Sequence, residues 1–174
     1  MWDDQSVVQE SESEGEGVMT VGNCMKQRVV SVSASTTVQE AARVVVEKGV
    51  GTLPVIDEQG VLIGVTSISD VLKVFMPDFV ALMDNIDFVH DFGVLEDLQA
   101  QDMREAARLT IQDIMQPPVA VEETCGLLRA SATMAKHRMR DLPVVDKEGR
   151  LVGIASPVDI VTALLAAWTA EATS

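Results

Sequence analysis

Leu53-Pro54-Val55-Ile56-Asp57-Glu58-Gln59-Gly60-Val61-Leu62-Ile63-Gly64-Val65-Thr66-Ser67 returns 89 residues further on as Leu142-Pro143-Val144-Val145-Asp146-Lys147-Glu148-Gly149-Arg150-Leu151-Val152-Gly153-Ile154-Ala155-Ser156. Each copy runs on into Ser-x-x-Asp, Ser67 to Asp70 and Ser156 to Asp159. Self-similarity of this length marks duplicated structural units that stack on one another. Within a copy, Leu53 to Ile56 reads as a buried strand and Glu58-Gln59-Gly60 as a hairpin turn, with Gly60 supplying positive φ. Leu62 to Thr66 is the returning strand. Ser67 then opens a helix that runs through Phe75 and stops at Pro77.

Upstream of that stretch, Val29-Val30-Ser31-Val32 reads as a short β-branched strand. Thr37-Val38-Gln39-Glu40 has the spacing of a capping box. Val38, Ala41, Ala42 and Val45 then fall on one helical face, and Gly49 suits a left-handed helix end. The second copy repeats the pattern from about Val119. Gly126 stands in the place of Thr37, while Leu127, Ala130, Ser131 and Met134 preserve the apolar face. Pro157 takes the first position of the last helix, where a missing N–H costs nothing. The expected fold is α/β, two β-α-β-β-α repeats packed as a pseudo-symmetric pair.

The expected boundaries are a flexible acidic tail over 1–17, a first repeat over 18–76, a helical insert over 77–109 and a second repeat over 110–170. The tail contains Ser11-Glu12-Ser13-Glu14-Gly15-Glu16-Gly17, too polar to offset its ordering entropy. In the insert, Phe79, Leu82, Met83, Ile86 and Val89 recur at helical spacing, and a structureless loop of that length is uncommon. Asp84, Asp87, His90 and Asp91 share a face there. That set could meet a divalent cation, but a solvated acidic face explains it more simply.

The chain of 174 residues is 47% apolar, ample for a buried core, and carries a formal net charge of −14. Such a charge argues against nucleic-acid binding, which needs a basic face to neutralise phosphates. The acidity is uneven: residues 1–100 hold 5 basic and 17 acidic groups, residues 101–174 hold 8 and 10. An anionic ligand should therefore prefer the second repeat. Cys24 and Cys125 match no zinc spacing and no disulfide framework, which suits reduced thiols in the cytoplasm. No signal peptide is visible, and Ile160 to Trp168 is too short to span a bilayer. No catalytic triad, Walker loop or metal-protease motif appears, so an enzyme is the least supported class.

Taken together, these residues resemble a tandem pair of CBS domains, named for their occurrence in cystathionine β-synthase. The resemblance rests on Val21-x-x-x-Met25 and Ile111-x-x-x-Met115, on both Leu-Pro-Val segments, on the acidic-x-Gly hairpins and on Gly-h-x-Ser-x-x-Asp at each end. It covers about 18–75 and 110–168. It implies a disc-like, often dimeric module that senses AMP, ADP, ATP, S-adenosylmethionine or another adenosyl ligand and regulates a partner. No catalytic domain accompanies the repeats, so the implied role is that of a stand-alone sensor.

The resemblance also implies a site. Asp70 and Asp159 would accept hydrogen bonds from the ribose hydroxyls, since a carboxylate offers two oxygens to a vicinal diol. Ser67 and Ser156 would donate to ribose or phosphate above a helix N-terminus. The edges Thr52-Leu53-Pro54 and Asp141-Leu142-Pro143, with Ser31 and Ala120 opposite, would sandwich the adenine. From spacing alone, both Ser-x-x-Asp elements are also ordinary helix caps, and the two roles are compatible. Asp141 would repel a phosphate, at about 4 kcal/mol for charges ~4 Å apart at an effective dielectric of 20. Arg140, with Lys136, His137 and Arg138 behind it, could compensate. The expected function is a homodimeric, adenosine-sensing regulator of another protein. The alternative is a dimeric scaffold with degenerate clefts, its apolar last helix (Ile160, Val161, Leu164, Leu165, Trp168) offering the contact surface.

Overall fold

The computed structural model describes residues 19–74 and 106–171, with side chains to Thr169. The acidic tail, most of the insert and the Asp84, Asp87, His90 and Asp91 set lie outside the described residues.

In the first repeat, α1 (Val38–Lys48) starts where the Thr37 hydroxyl accepts from Glu40 N–H, and the Glu40 carboxylate accepts in return from Thr37 N–H at 3.0 Å. The helix ends at Gly49, left-handed at φ 64°. β1 (Thr52–Ile56) and β2 (Leu62–Ser67) form an antiparallel pair with Leu53 opposite Thr66. Gly60 turns the hairpin at φ 81°, while Asp57 Oδ1 accepts from the N–H groups of Gln59 and Val61. α2 (Ile68–Lys73) follows directly. Among the described residues the second repeat gives α3 (Ile111–Ile114), β3 (Val121–Glu122), α4 (Leu127–His137), β4 (Leu142–Val145), β5 (Leu151–Ala155) and α5 (Pro157–Glu171).

Two local expectations change. The strand expected over Val29 to Val32 contracts to a single parallel bridge between Val32 and Val55. Beyond it, Ser33 N–H donates to the Thr36 hydroxyl at 3.2 Å, a local bond that diverts the backbone from the ladder. The α4 start, lacking a capping side chain at Gly126, is completed from a distance. Gly126 bridges Thr20, and Leu127 N–H reaches the Met19 carbonyl at 3.4 Å.

That bridge is part of an exchange. Val21, in the segment leading into the first repeat, is fully buried among Leu127, Ala130, Met134, Leu142, Val144, Ala155 and Ile160 of the second. Ile111, in the segment leading into the second repeat, is fully buried among Val32, Ala41, Leu53 and Val55 of the first. Each fully buried Leu or Ile contributes roughly 1.5–3 kcal/mol relative to exposure. Each repeat's core is therefore completed by the other repeat's leading segment.

The methionines of the two leading segments show why the motif needs its glycines. A Cβ on Gly64 would stand 2.7 Å from Met115 Sδ, and one on Gly153 would collide with Met25 Sδ. The hairpin tips close the pair: Leu62 N–H donates to the Gly149 carbonyl and Leu151 N–H to the Gly60 carbonyl, both at 3.0 Å. Reciprocal bonds between equivalent residues place an approximate two-fold axis between the tips.

Candidate ligand clefts

Both Ser-x-x-Asp elements fold as helix caps, and in each the capping carboxylate takes a further donor from the opposite repeat. At Asp70, Oδ2 accepts from Ser67 N–H at 2.9 Å and from the Ser67 hydroxyl at 2.6 Å. Its Oδ1 accepts from Lys73 Nζ at 3.2 Å and from Gln116 Nε2 at 3.4 Å. At Asp159, Oδ2 accepts from Ser156 N–H at 2.8 Å and from the Ser156 hydroxyl at 2.6 Å. Lys26 Nζ stands 3.3 Å from the same oxygen. Among the described residues nothing engages Asp159 Oδ1.

These donors set the carboxylate acidities. Burial pushes Asp70 up, but the Ser67 hydroxyl and N–H, then Lys73, outweigh it and hold the group below its ordinary value. Burial likewise pushes Asp159 up, and Ser156 with Lys26 brings it below. Both are thus held ionised, the form that accepts from a diol.

The first cleft is an open depression of about 300 Å³ lined by Asp70, Lys73, Val74, Asp113, Ile114 and Gln116. Asp113 lies there because it caps the turn that begins at Thr110, accepting from Thr110 N–H at 2.8 Å. In the other leading segment Asn23 takes that part, accepting from Thr20 N–H at 3.1 Å.

The remaining expected site residues are distributed as follows. Ser31 is half-buried beside Pro54, whose carbonyl accepts from Val32 N–H at 3.1 Å. Ala120, also half-buried, precedes β3 and so flanks Pro143 in the parallel register of β3 with β4. Leu53, Pro54, Leu142 and Pro143 are fully buried, so their side chains fill the interior. Thr52 and Asp141 meet each other, the Thr52 hydroxyl donating to Asp141 Oδ2 at 2.9 Å. Arg140 is exposed, with no partner among the described residues. Sequence reasoning missed Lys26, Lys73 and Gln116. The signal for two of them was present: Lys26 and Gln116 each directly follow the methionine of a leading segment.

Two α/β repeats, each completed by the other and each presenting a capped carboxylate to a cross-repeat donor, define a paired-repeat module with two equivalent capped carboxylates, of which the one at Asp70 lines the open depression. The chain belongs to the CBS domain family, whose model matches residues 21–77 and 111–166. It is 33% identical over 160 residues to the CBS domain-containing protein CBSX1, chloroplastic, of Arabidopsis thaliana, covering 89% of this chain and 68% of that one. It is 30% identical to the CBS domain-containing protein YhcV of Bacillus subtilis, covering 81% of this chain and 82% of that one. Among solved structures, CBSX2 of Arabidopsis thaliana in complex with AMP matches with a TM-score of 0.63 at 32% identity, over 84% of this chain and 96% of that one. The chain spans 68% and 65% of the full lengths of CBSX1 and CBSX2. Among the described residues, no helix is long and apolar enough to cross a membrane.

Proposed function

We propose that this chain is a regulatory sensor. It binds an adenosine-containing ligand, AMP, ADP, ATP or S-adenosylmethionine, in the inter-repeat clefts and signals by conformational change to a separate regulated protein. The observation that carries this reading is the twofold recurrence of an ionised, capped carboxylate bridged to the opposite repeat. A ligand diol that takes over such a carboxylate displaces a bond between repeats. Binding and inter-repeat geometry are then linked, with a coupling set by differential affinity for the two arrangements. The complex of CBSX2 with AMP supports the ligand class. Val158, Val161, Leu165 and Trp168, exposed along one stripe of α5, support a homodimer. Cys24 and Cys125 are free, in keeping with a reducing compartment such as the cytoplasm.

Thermal melting against millimolar AMP, ADP, ATP and S-adenosylmethionine tests the proposal. A ligand present at 100 times its Kd stabilises by about 2.7 kcal/mol, and Asp159→Ala should reduce that shift. No shift with any of the four would remove the sensor reading.

One observation favours a second reading, a dimeric scaffold with degenerate clefts: both oxygens of Asp70 are already satisfied by the protein's own donors. It predicts a concentration-independent dimer on sedimentation whose melting ignores all four compounds.

A further inference from the structure

The two clefts differ in charge at equivalent positions, and the difference bears on which adenosine ligand can enter. The first contains Asp70 and Asp113 against the single cation Lys73, with neutral Gln116 completing it. In the second, Asn23 stands where Asp113 stands and Thr162 where Lys73 stands. Lys26 takes the place of Gln116 and meets Asp159 at 3.3 Å. Counted over these equivalent positions, the first cleft keeps one unbalanced negative charge and the second is neutral. Arg140 and Asp141, where the first repeat has uncharged Gly51 and Thr52, cancel each other, and Asp141 Oδ2 is already held by the Thr52 hydroxyl.

The carboxylates differ too. A diol entering the first cleft must displace Lys73 or Gln116 from Asp70 Oδ1. In the second, Asp159 Oδ1 is engaged by no described residue, and Lys26 shares Oδ2 with the cap. The Lys26 side chain is 64% exposed while Asp159 is 17% exposed, so the ammonium sits at the rim on a four-carbon stem free to swing. Its backbone is fixed independently, by bonds of 2.9 Å in each direction with Ile154.

We infer that the second cleft selects a 5′-phosphorylated adenosine over an uncharged or cationic adenosyl compound, and that Lys26 is the specificity-determining side chain. This rests on the proposed sensor function and narrows its ligand. With a nucleotide bound, the ribose hydroxyls donate to Asp159 and the Lys26 ammonium moves from the carboxylate to the phosphate. An uncharged nucleoside gives Lys26 nothing to move to. The sulfonium of S-adenosylmethionine adds a positive charge beside it.

Calorimetric titration of the whole chain with AMP, adenosine and S-adenosylmethionine tests this, using Lys26→Met, Lys26→Arg and, as a control cation outside both clefts, Lys48→Met. The wild type should bind AMP more tightly than either other compound. Lys26→Met should weaken AMP by at least about tenfold, the scale of one charge-assisted hydrogen bond, with adenosine unchanged. Lys26→Arg should keep most of the preference, and Lys48→Met all of it. If wild type binds AMP and Lys26→Met keeps the AMP-to-adenosine ratio, this inference fails while the sensor function stands. If Lys26→Met weakens both ligands equally, Lys26 is structural and the inference again fails. If the wild type binds none of the three, both readings fall.

Discussion

The Thr52 hydroxyl donates to Asp141 Oδ2 at 2.9 Å, and these two residues are each other's counterparts in the two repeats, 89 positions apart. A residue touches its own counterpart only near the symmetry axis, so this bond lies on the same approximate two-fold axis that passes between the hairpin tips. The duplication has diverged there into a donor and an acceptor. Two threonines could also pair, but a hydrogen bond to a charged oxygen is stronger. Thr52→Val keeps the shape and strips the half-buried carboxylate of its donor, so it should lower unfolding free energy by about 1–3 kcal/mol in urea titration. Adding Asp141→Val should recover much of that loss, because an apolar pair leaves no polar group unsatisfied.

Thr66 presents the opposite case. It is fully buried, and its hydroxyl has no partner among the described residues. The same position in the second repeat is Ala155, also fully buried. Thr66→Val should stabilise by about 1–3 kcal/mol, which for a chain of this size raises the melting temperature by roughly 2–4 °C per kcal/mol. An unchanged or lower melting point would mean that the hydroxyl finds a partner in solution.

The two αL helix ends give a pair of opposite signs. α1 ends on Gly49 at φ 64°, whereas α4 ends on Arg138 at φ 53°, the one non-glycine residue with positive φ among those described. Side chains other than glycine's disfavour this conformation by about 1 kcal/mol. Gly49→Ala should therefore destabilise by about that amount and Arg138→Gly should stabilise by a similar one, both read from denaturant midpoints at unchanged m-value.

Acid should unfold the protein through its caps. Asp70 and Asp159 sit below the ordinary value of 3.8 in the folded state, as do the exposed Glu40 and Asp113 relative to their own ordinary values. A depressed folded pKa contributes stability that is present above the unfolded value and is lost as pH falls through the folded one. The melting temperature should thus hold level down to about pH 4–5 and drop steeply below it. Ser67→Ala with Ser156→Ala removes the hydroxyl donors. It should lower the plateau and flatten the acid limb; a parallel downward shift of the whole curve would contradict the linkage.

Much of the fold was legible because each local signal agreed with the next. Thr37 and Glu40, the two hairpin glycines, Gly49 and Pro157 all act within a few residues of their own position, which is the range over which caps and turns are decided. The exchange of leading segments was not legible. Val21 and Ile111 read as apolar starts of their own repeats, and nothing in their spacing says that they pack into the other one. The clefts split in the same way: Ser67 with Asp70 and Ser156 with Asp159 are local and were found. Lys26 and Gln116 reach Asp159 and Asp70 across long sequence separations, and only the equivalence of the residue after each methionine pointed to them.

The exchange also sets what can be lost. A half comprising only the first repeat would carry Val21 with no core to enter, and would keep its own core open where Ile111 belongs. The complementary half would have the mirror-image defect. Neither fragment is a smaller version of the protein, but each carries the missing piece of the other. Split between two polypeptides, the halves should reassemble only as a pair, and a chain that dropped one copy would have to replace it with the equivalent segment of a neighbouring molecule.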